Sequence, residues 1–280
     1  MKKICQKICI LIVFSPVMLG LQACTHLMFA PMKELVRTPE QVGVEYKDIV
    51  IKSGNDTLLH GWHLPAVVDV KGSIVFFHGN GENISTHLAT VYWLPEQGYE
   101  VFLVDYRGYG LSKGDVDLAG SIADVDAAIQ YALDNKNSDK GLVVLGHSFG
   151  GSLGLYSVAV SDIKDDIAAV ISIGAFSDYR QIVKDVLSRS WVTWIFQWPL
   201  SYTINNEYAP VDYVHRISPV PLLLMHSGDD EVVPYYHSES LFSLAQQPKY
   251  LERLTGDHNH TFQYEENRVI LLDYLTYFVN

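Results

Sequence analysis

Five residues near the middle of the chain, Gly146-His147-Ser148-Phe149-Gly150, have the pattern of a sharp turn around a serine. The turn follows the apolar run 142–145 and precedes a stretch rich in small residues, so a strand, a sharp turn and a helix are predicted in that order. Glycines two positions either side of a serine remove the Cβ atoms that would collide in so tight a turn. The pattern is typical of a serine hydroxyl held above a sheet edge, where a neighbouring base can make it nucleophilic.

Apolar, strand-like segments alternate with helix-like segments along the rest of the chain. Strands are predicted at 46–51, 57–64, 73–77, 101–104, 142–145, 168–173, 221–225 and 250–254, and helices at 84–96, 118–135, after the turn, and at 261–278. Gly54-Asn55-Asp56 between the first two strands is a hairpin signal. Continuous apolar strands separated by helices predict an α/β fold, with a mostly parallel sheet covered by helices on both faces.

Residues 177–216 interrupt the alternation, because they carry many aromatic side chains and no strand pattern. An insertion between two strands lies over the strand ends, so this segment is predicted to form a small cap on a domain spanning 45–280. Most of its aromatic residues are expected to attach the cap to the body. Trp191, Trp194 and Trp198 are the candidates for lining an acyl or aromatic substrate pocket.

The first residues are predicted to be a targeting signal. Three lysines precede the apolar run 8–19, which is too short to cross a bilayer comfortably. Leu21-Gln22-Ala23-Cys24 then resembles the lipobox of bacterial lipoproteins, which implies removal of residues 1–23 and acylation of Cys24. An ordinary signal peptide cleaved nearby and an uncleaved anchor are the alternatives.

The lipobox resemblance sets the expected location. A mature chain beginning at Cys24 retains one of the three cysteines, so no disulfide or cysteine metal site is possible. Thr25 is not the aspartate that resembles an inner-membrane retention signal, so we expect a lipid-anchored protein of the bacterial cell envelope, at the outer membrane and facing the periplasm. Residues 24–44 are then the tether between membrane and domain.

Charge excludes one class of partner. Loss of residues 1–23 takes the formal charge from −12 to −15, because three lysines and no acidic residues leave. A mature chain with this negative charge repels the phosphate backbone of nucleic acids and the headgroups of anionic lipids. No nucleic-acid partner is therefore expected. The membrane contact is therefore expected from the N-terminal lipid.

Two later loops offer an acid and a base for Ser148. Asp229, Asp230 and Glu231 follow the strand 221–225, while His258 and His260 follow the strand 250–254. Loops after the carboxyl ends of parallel strands meet at the same edge of a sheet, where sites form in such folds. These histidines and acids lack the short ligand spacing of a metal site, so no metal is expected.

Four motifs in chain order resemble the alpha/beta-hydrolase superfamily, and more closely its serine aminopeptidase-like and abhydrolase-domain serine hydrolases, over roughly residues 45 to 280. They are His78-Gly79-Asn80-Gly81, the serine turn, the segment 226–234 and Gly256-Asp257-His258-Asn259. The family pattern implies Asp230 as the acid, with Asp229 the alternative, and His258 as the base, with His260 the alternative. It also implies that the backbone N–H groups of Asn80 and Phe149 form an oxyanion hole.

The implied activity is hydrolysis of a carboxylic ester or thioester through an acyl-enzyme on Ser148, without a cofactor. The substrate would then be a small acyl ester or thioester. A serine aminopeptidase or acylaminoacyl peptidase acting on short peptides is the second interpretation. A non-catalytic lipoprotein scaffold is the third, and the complete serine, histidine and aspartate set argues against it.

Overall fold

The computed structural model describes residues 28–279, so the predicted signal peptide and Cys24 lie outside the described residues. Eight strands form one sheet in the order β1-β2-β4-β3-β5-β6-β7-β8. β2 is antiparallel to both its neighbours, and β4, β3, β5, β6, β7 and β8 are mutually parallel. The strands are β1 Lys47–Ser53, β2 Thr57–Leu64, β3 Gly72–Phe77, β4 Tyr99–Val104, β5 Leu142–His147, β6 Ile167–Ile173, β7 Leu222–Ser227 and β8 Lys249–Leu254.

Helices cover both faces of this sheet, as predicted. They are α1 Ile84–Val91, α2 Leu118–Asn135, α3 Phe149–Val160, α4 Tyr179–Ser188, α5 Gln197–Ser201, α6 Pro210–Tyr213, α7 Tyr236–Leu244 and α8 Glu265–Val279. Successive residues of a strand point to opposite faces, so β3 sends Val75 and Phe77 into one core with α2 and α3. Ile74 and Phe76 enter the other core, with α1 and α8. Because both faces are buried, the strands read as continuous apolar runs.

Two predicted helices are shorter than expected. The helix predicted at 84–96 ends at Val91, because Leu94 N–H bonds to the Val91 carbonyl and Pro95 has no N–H to continue the ladder. The helix predicted at 261–278 is a 3-10 turn at Thr261–Gln263 followed by α8, since Tyr264 between them is extended (φ −86°, ψ 125°).

The segment between β6 and β7 contains helices α4, α5 and α6 and no strand. Its inner aromatic residues attach it to α3, where Tyr208 and Tyr213 make edge-to-face contacts with Tyr156, at 5.1 and 4.8 Å between ring centroids. Among the helices of residues 28–279, none combines the length and apolar character needed to cross a bilayer.

The described part of the predicted tether packs against the domain, which the sequence did not indicate. Gly110 N–H bonds to the Met32 carbonyl at 2.8 Å, and Val36 N–H bonds to Ser85 Oγ at 2.9 Å. The Asn83 amide also reaches the Glu34 carbonyl at 2.8 Å. These backbone contacts fix the path of the segment along the same edge of the sheet at which the serine turn lies.

Candidate active site

Ser148 occupies the turn between β5 and α3 in a strained backbone conformation. Its φ of 52° and ψ of −116° lie in a region that non-glycine residues rarely adopt, at a cost of about 1–3 kcal/mol. A Cβ at Gly150 would overlap the carbonyl oxygens of Phe77 and His78, and a Cβ at Gly146 would overlap the backbone of Gly150. The two glycines therefore let the turn pack directly on the loop after β3.

His258 and Asp230 form a close pair. His258 Nδ1 donates a hydrogen bond to Asp230 Oδ2 at 2.5 Å, and the side chain of Asp230 is 1% exposed. Asp230 Oδ1 accepts the N–H groups of Val232 and Val233 at 2.8 and 2.7 Å. Burial opposes ionisation of this carboxyl, but the hydrogen bonds from His226 and His258 outweigh it and hold the pKa of Asp230 well below its usual range.

The alternative acid and base lie elsewhere. Asp229 is exposed, and the Asp229 N–H bonds to Ser227 Oγ within the loop. His260 is also exposed and pairs through Nδ1 with Asp257 at 2.9 Å. The structure thus brings together His258 and Asp230 and leaves Asp229 and His260 out of the pair.

The end of β6 joins this pair to the serine turn. Ser148 N–H bonds to the Ile173 carbonyl at 2.8 Å, and a Cβ at Gly174 would lie 3.2 Å from His258 Nδ1 and 3.3 Å from Asp230 Oδ2. Ser148, His258 and Asp230 therefore all lie around the end of β6. Ser148 and His258 also line the same cavity.

His147 is a residue of the site that the motifs did not identify. Its Nε2–H donates to the carbonyl of His258 at 2.8 Å, and the two rings lie 4.7 Å apart. Burial lowers the pKa of His147 well below its usual value, so the ring is neutral. The motif fixes only the glycines and the serine, and the direction of the second side chain depends on the turn, so sequence carried no signal for this contact.

Asn80 and Phe149 both border this cavity. Phe149 is the first residue of α3, so its N–H has no acceptor within the helix. Asn80 follows β3, and its side-chain oxygen accepts hydrogen bonds from Tyr109 Oη at 2.6 Å and Ala30 N–H at 3.1 Å. These contacts hold the loop after β3 at the rim of the cavity, beside the N-terminus of α3.

The cavity has a volume of 640 Å³ and a mainly apolar wall. The cap supplies much of that wall, and the N-terminal segment supplies Met28 and Phe29. Phe29 meets Phe149 edge to face with ring centroids 5.5 Å apart. The apolar side chains from the cap are Ile182, Val183, Val186, Leu187, Leu200 and Ile204.

The three tryptophans predicted to line the pocket do not line it. Trp191, Trp194 and Trp198 are 88%, 56% and 55% exposed, and the cavity wall does not include them. They lie in and around the turn Trp194–Phe196 beyond the end of α4, whereas aliphatic residues of α4 and the segment 200–204 face the cavity. Aromatic composition therefore did not indicate which residues of the segment 177–216 face the cavity.

Within residues 28–279, no cluster of three or more His, Cys, Asp or Glu side chains is arranged to hold a metal ion. His226, at the end of β7, is buried. Its Nε2–H donates to the Val233 carbonyl at 2.9 Å, and its Nδ1 accepts from Ser238 Oγ at 2.6 Å. It therefore supports the Asp230 loop.

The sequence of this chain is similar to those of known proteins. Residues 68–210 match the family described as "Serine aminopeptidase, S33". The "Uncharacterized protein YfhR" of Escherichia coli K12 is 34% identical over 230 residues, which is 80% of this chain and 76% of that protein. The "Alpha/beta hydrolase domain-containing protein WAV2" of Arabidopsis thaliana is 26% identical over 265 residues, covering 90% of this chain and 81% of that one.

A solved structure agrees at the level of the fold. The Pyrococcus furiosus esterase Pf2001 superposes with a TM-score of 0.75 at 19% sequence identity, covering 90% of this chain and 98% of that one. The eight-stranded sheet and the strained serine turn fit the same fold. The chain is thus a hydrolase of the alpha/beta-hydrolase superfamily and belongs to the serine aminopeptidase S33 family.

Proposed function

We propose that this protein is a serine hydrolase that cleaves carboxylic ester or thioester bonds through Ser148, His258 and Asp230. The observation that carries the proposal is the 2.5 Å bond between His258 Nδ1 and Asp230 Oδ2 beside a cavity that Ser148 also lines. Because Asp230 is ionised at neutral pH, it keeps the proton of the imidazole on Nδ1 and leaves Nε2 free to act as a base.

The proposed reaction is a two-step acyl transfer. His258 Nε2 takes the proton of Ser148 Oγ as that oxygen attacks the substrate carbonyl, and the N–H groups of Phe149 and Asn80 hold the oxyanion. His258 then gives the proton to the departing alcohol or thiol, and the acyl group stays on Ser148. Water, activated by His258, releases the carboxylic acid and restores the serine.

The wall of the cavity favours an acyl substrate over a peptide with a free amino group. Its cap side is mainly aliphatic, with Tyr179 and Thr203 as the other lining residues, which suits a hydrocarbon chain. Within the described lining, Glu82 is the one carboxylate, and its Oε2 pairs with His87 Nε2 at 3.0 Å. The hydrogen bond from His87 is the main reason why the pKa of Glu82 is lowered, so this charge is already engaged.

The aminopeptidase alternative remains because of the family description. Turnover of p-nitrophenyl esters, acyl thioesters and aminoacyl p-nitroanilides by the purified protein separates the two. We expect turnover of the first two classes and none by Ser148→Ala. A preference for aminoacyl anilides would replace the esterase proposal with the peptidase one.

We also propose that Cys24 carries the lipid that attaches the protein to the envelope, at the outer membrane on its periplasmic side. The lipobox-like segment before Cys24 supports this proposal. Radiolabelled palmitate should enter the native chain and not Cys24→Ala. Equal labelling of the two proteins would contradict it.

A further inference from the structure

One face of the cap exposes an unusual density of large apolar side chains. Residues 190–206 contain no charged residue, in a chain where charged residues make up 19%. We use the name tryptophan surface for the exposed large apolar side chains of this run that do not line the cavity, which are Trp191, Val192, Trp194, Ile195, Phe196, Trp198 and Tyr202. Soluble proteins rarely leave so many neighbouring large apolar side chains in water without a partner.

These side chains are not needed to hold the cap in place. Tyr208 and Tyr213 fix it to α3, and the aliphatic residues of α4 face the cavity. Lys184 Nζ lies 4.3 Å from the centre of the Trp198 ring, at the border of the tryptophan surface. Tryptophan and tyrosine bordered by lysine or arginine are enriched at the interface between a bilayer and water.

The tryptophan surface lies next to residues that line the cavity. Leu200 and Thr203 belong to the same uncharged run and line the cavity. Met28 and Phe29, at the start of the described chain, line that cavity from another side. The first described residues and the cap therefore contribute to the wall of one cavity.

The position of the expected anchor gives this surface a partner. Cys24 lies four residues before Met28, and an extended chain of that length spans at most about 14 Å. A lipid on Cys24 therefore enters the bilayer within that distance of Met28, which lines the cavity. The tryptophan surface, which borders the cavity wall at the exposed Leu200, is then brought to the same membrane.

We propose that the tryptophan surface docks into the headgroup region of a phospholipid bilayer and turns the cavity mouth toward the lipid. An acyl substrate would then reach Ser148 from the membrane. The surface lacks charge and the whole chain is acidic, so docking depends on aromatic and apolar burial and needs no anionic lipid. Docking rests on the proposed anchor at Cys24 and not on the chemistry of Ser148.

The chain's own tryptophans provide the test. Of five tryptophans, Trp62 and Trp93 are buried, and the other three lie on the tryptophan surface. The full-length lipidated protein, reconstituted in phosphatidylcholine vesicles, should lose about half or more of its tryptophan emission when the acyl chains carry bromine, since bromine quenches only indoles that reach the lipid. Equal emission in brominated and ordinary vesicles would overturn the proposal.

Two variants sharpen the result. The triple variant Trp191→Ser/Trp194→Ser/Trp198→Ser should show no quenching by bromine. It should hydrolyse a long-chain ester dissolved in the vesicles at least about tenfold more slowly than the native protein. Its hydrolysis of a water-soluble short-chain ester should be unchanged. Val67→Ser/Val68→Ser removes exposed apolar side chains before β3, at the opposite end of the parallel strands, and should change neither. An equal loss in both variants would contradict docking through the cap.

Failure of docking and failure of the proposed chemistry give different results. Ser148→Ala should be quenched like the native protein, so a hydrolysis defect alone leaves the fluorescence result intact. If the tryptophan surface instead joins two copies of the chain, its emission will shift to shorter wavelength with protein concentration in detergent and will not respond to bromine. That outcome would replace the bilayer with a second copy as the partner.

Discussion

Ser148 holds its conformation at a cost in free energy, and its neighbours explain why the fold tolerates that cost. Its N–H bonds to the Ile173 carbonyl, and its backbone strain is about 1–3 kcal/mol. His147, one residue earlier, holds the carbonyl of His258. The strained turn therefore positions the serine and the loop of the histidine with the same few residues.

The His147 contact predicts a positioning effect on the reaction. His147→Phe keeps an aromatic ring at this position but removes the hydrogen bond to the His258 carbonyl. Such a bond is worth about 0.5–1.5 kcal/mol. We therefore expect kcat for ester hydrolysis to fall about two- to tenfold, with little change in KM. Steady-state kinetics on a p-nitrophenyl ester measures both constants. His260→Gln is the matched control, because His260 is exposed two residues from His258 and should leave kcat unchanged.

Some residues of the site could be predicted from the sequence and others could not. Family motifs favoured Asp230 over Asp229 and His258 over His260, and the structure pairs Asp230 with His258. Motifs do not indicate which way a cap residue faces, and Trp191, a candidate for the pocket by sequence, is 88% exposed and does not line the cavity. Contacts such as His147 to His258 join segments 111 residues apart, and no local pattern encodes them.

At the scale of elements, the turn from β5 into α3 is the feature that most depends on small residues. Gly150 faces the carbonyls of Phe77 and His78, so the helix starts directly beside the loop that follows β3. The helix α2 Leu118–Asn135 has the bounds predicted from its amphipathic pattern, and Asp117 caps its start. By contrast, the helix after Asn83 ends early because Leu94 N–H bonds to the Val91 carbonyl and Pro95 has no N–H to continue the helix.

Two glycines of α3 separate packing from helix propensity. Gly150→Ala should destabilise the fold by several kcal/mol or prevent folding, because its new methyl group meets backbone that cannot move aside. Gly154→Ala lies in the same helix, where the added Cβ comes no nearer than 3.3 Å to Val144 Cγ1, and it should have a midpoint close to the native one. Urea unfolding followed by circular dichroism compares them, and equal midpoints for the two variants would contradict the packing of the turn.

On the scale of the whole molecule, the order of strands makes the site. β3, β5, β6, β7 and β8 are neighbours, so the loops after β3, β5, β7 and β8 deliver Asn80, Ser148, Asp230 and His258 to one edge. The alternation of apolar strands and helices in the sequence predicted this arrangement, because strands separated by helices pack as a parallel sheet and the loops after them lie at one edge. The docking of residues 28–44 was not predicted, since it depends on backbone contacts of a segment with no regular pattern.

A buried carboxylate couples the stability of the molecule to pH. Glu100 accepts hydrogen bonds from Ser73, His63 and Asn137, which outweigh the effect of burial and lower its pKa to about 2. Because this value lies below the unfolded value of about 4.3, ionised Glu100 stabilises the native state above about pH 5, and the contribution is lost as pH falls from about 4.3 through 2.

Glu100→Gln should therefore reduce the free energy of unfolding by about 2–4 kcal/mol at pH 7 and by clearly less at pH 3. Urea unfolding at the two pH values measures the difference. Glu96→Gln, an exposed neighbour, should match the native protein at both. A Glu100→Gln penalty that grows as pH falls would contradict the account.

The reaction of Ser148 with a fluorophosphonate, followed by peptide mass spectrometry, shows whether Ser148 is the nucleophile that His258 activates. We predict one adduct, on the peptide that contains Ser148, and labelling slowed about 100- to 10,000-fold in His258→Ala, since the general base is lost. An adduct on another residue, or labelling of His258→Ala at the native rate, would contradict the claim that His258 activates Ser148.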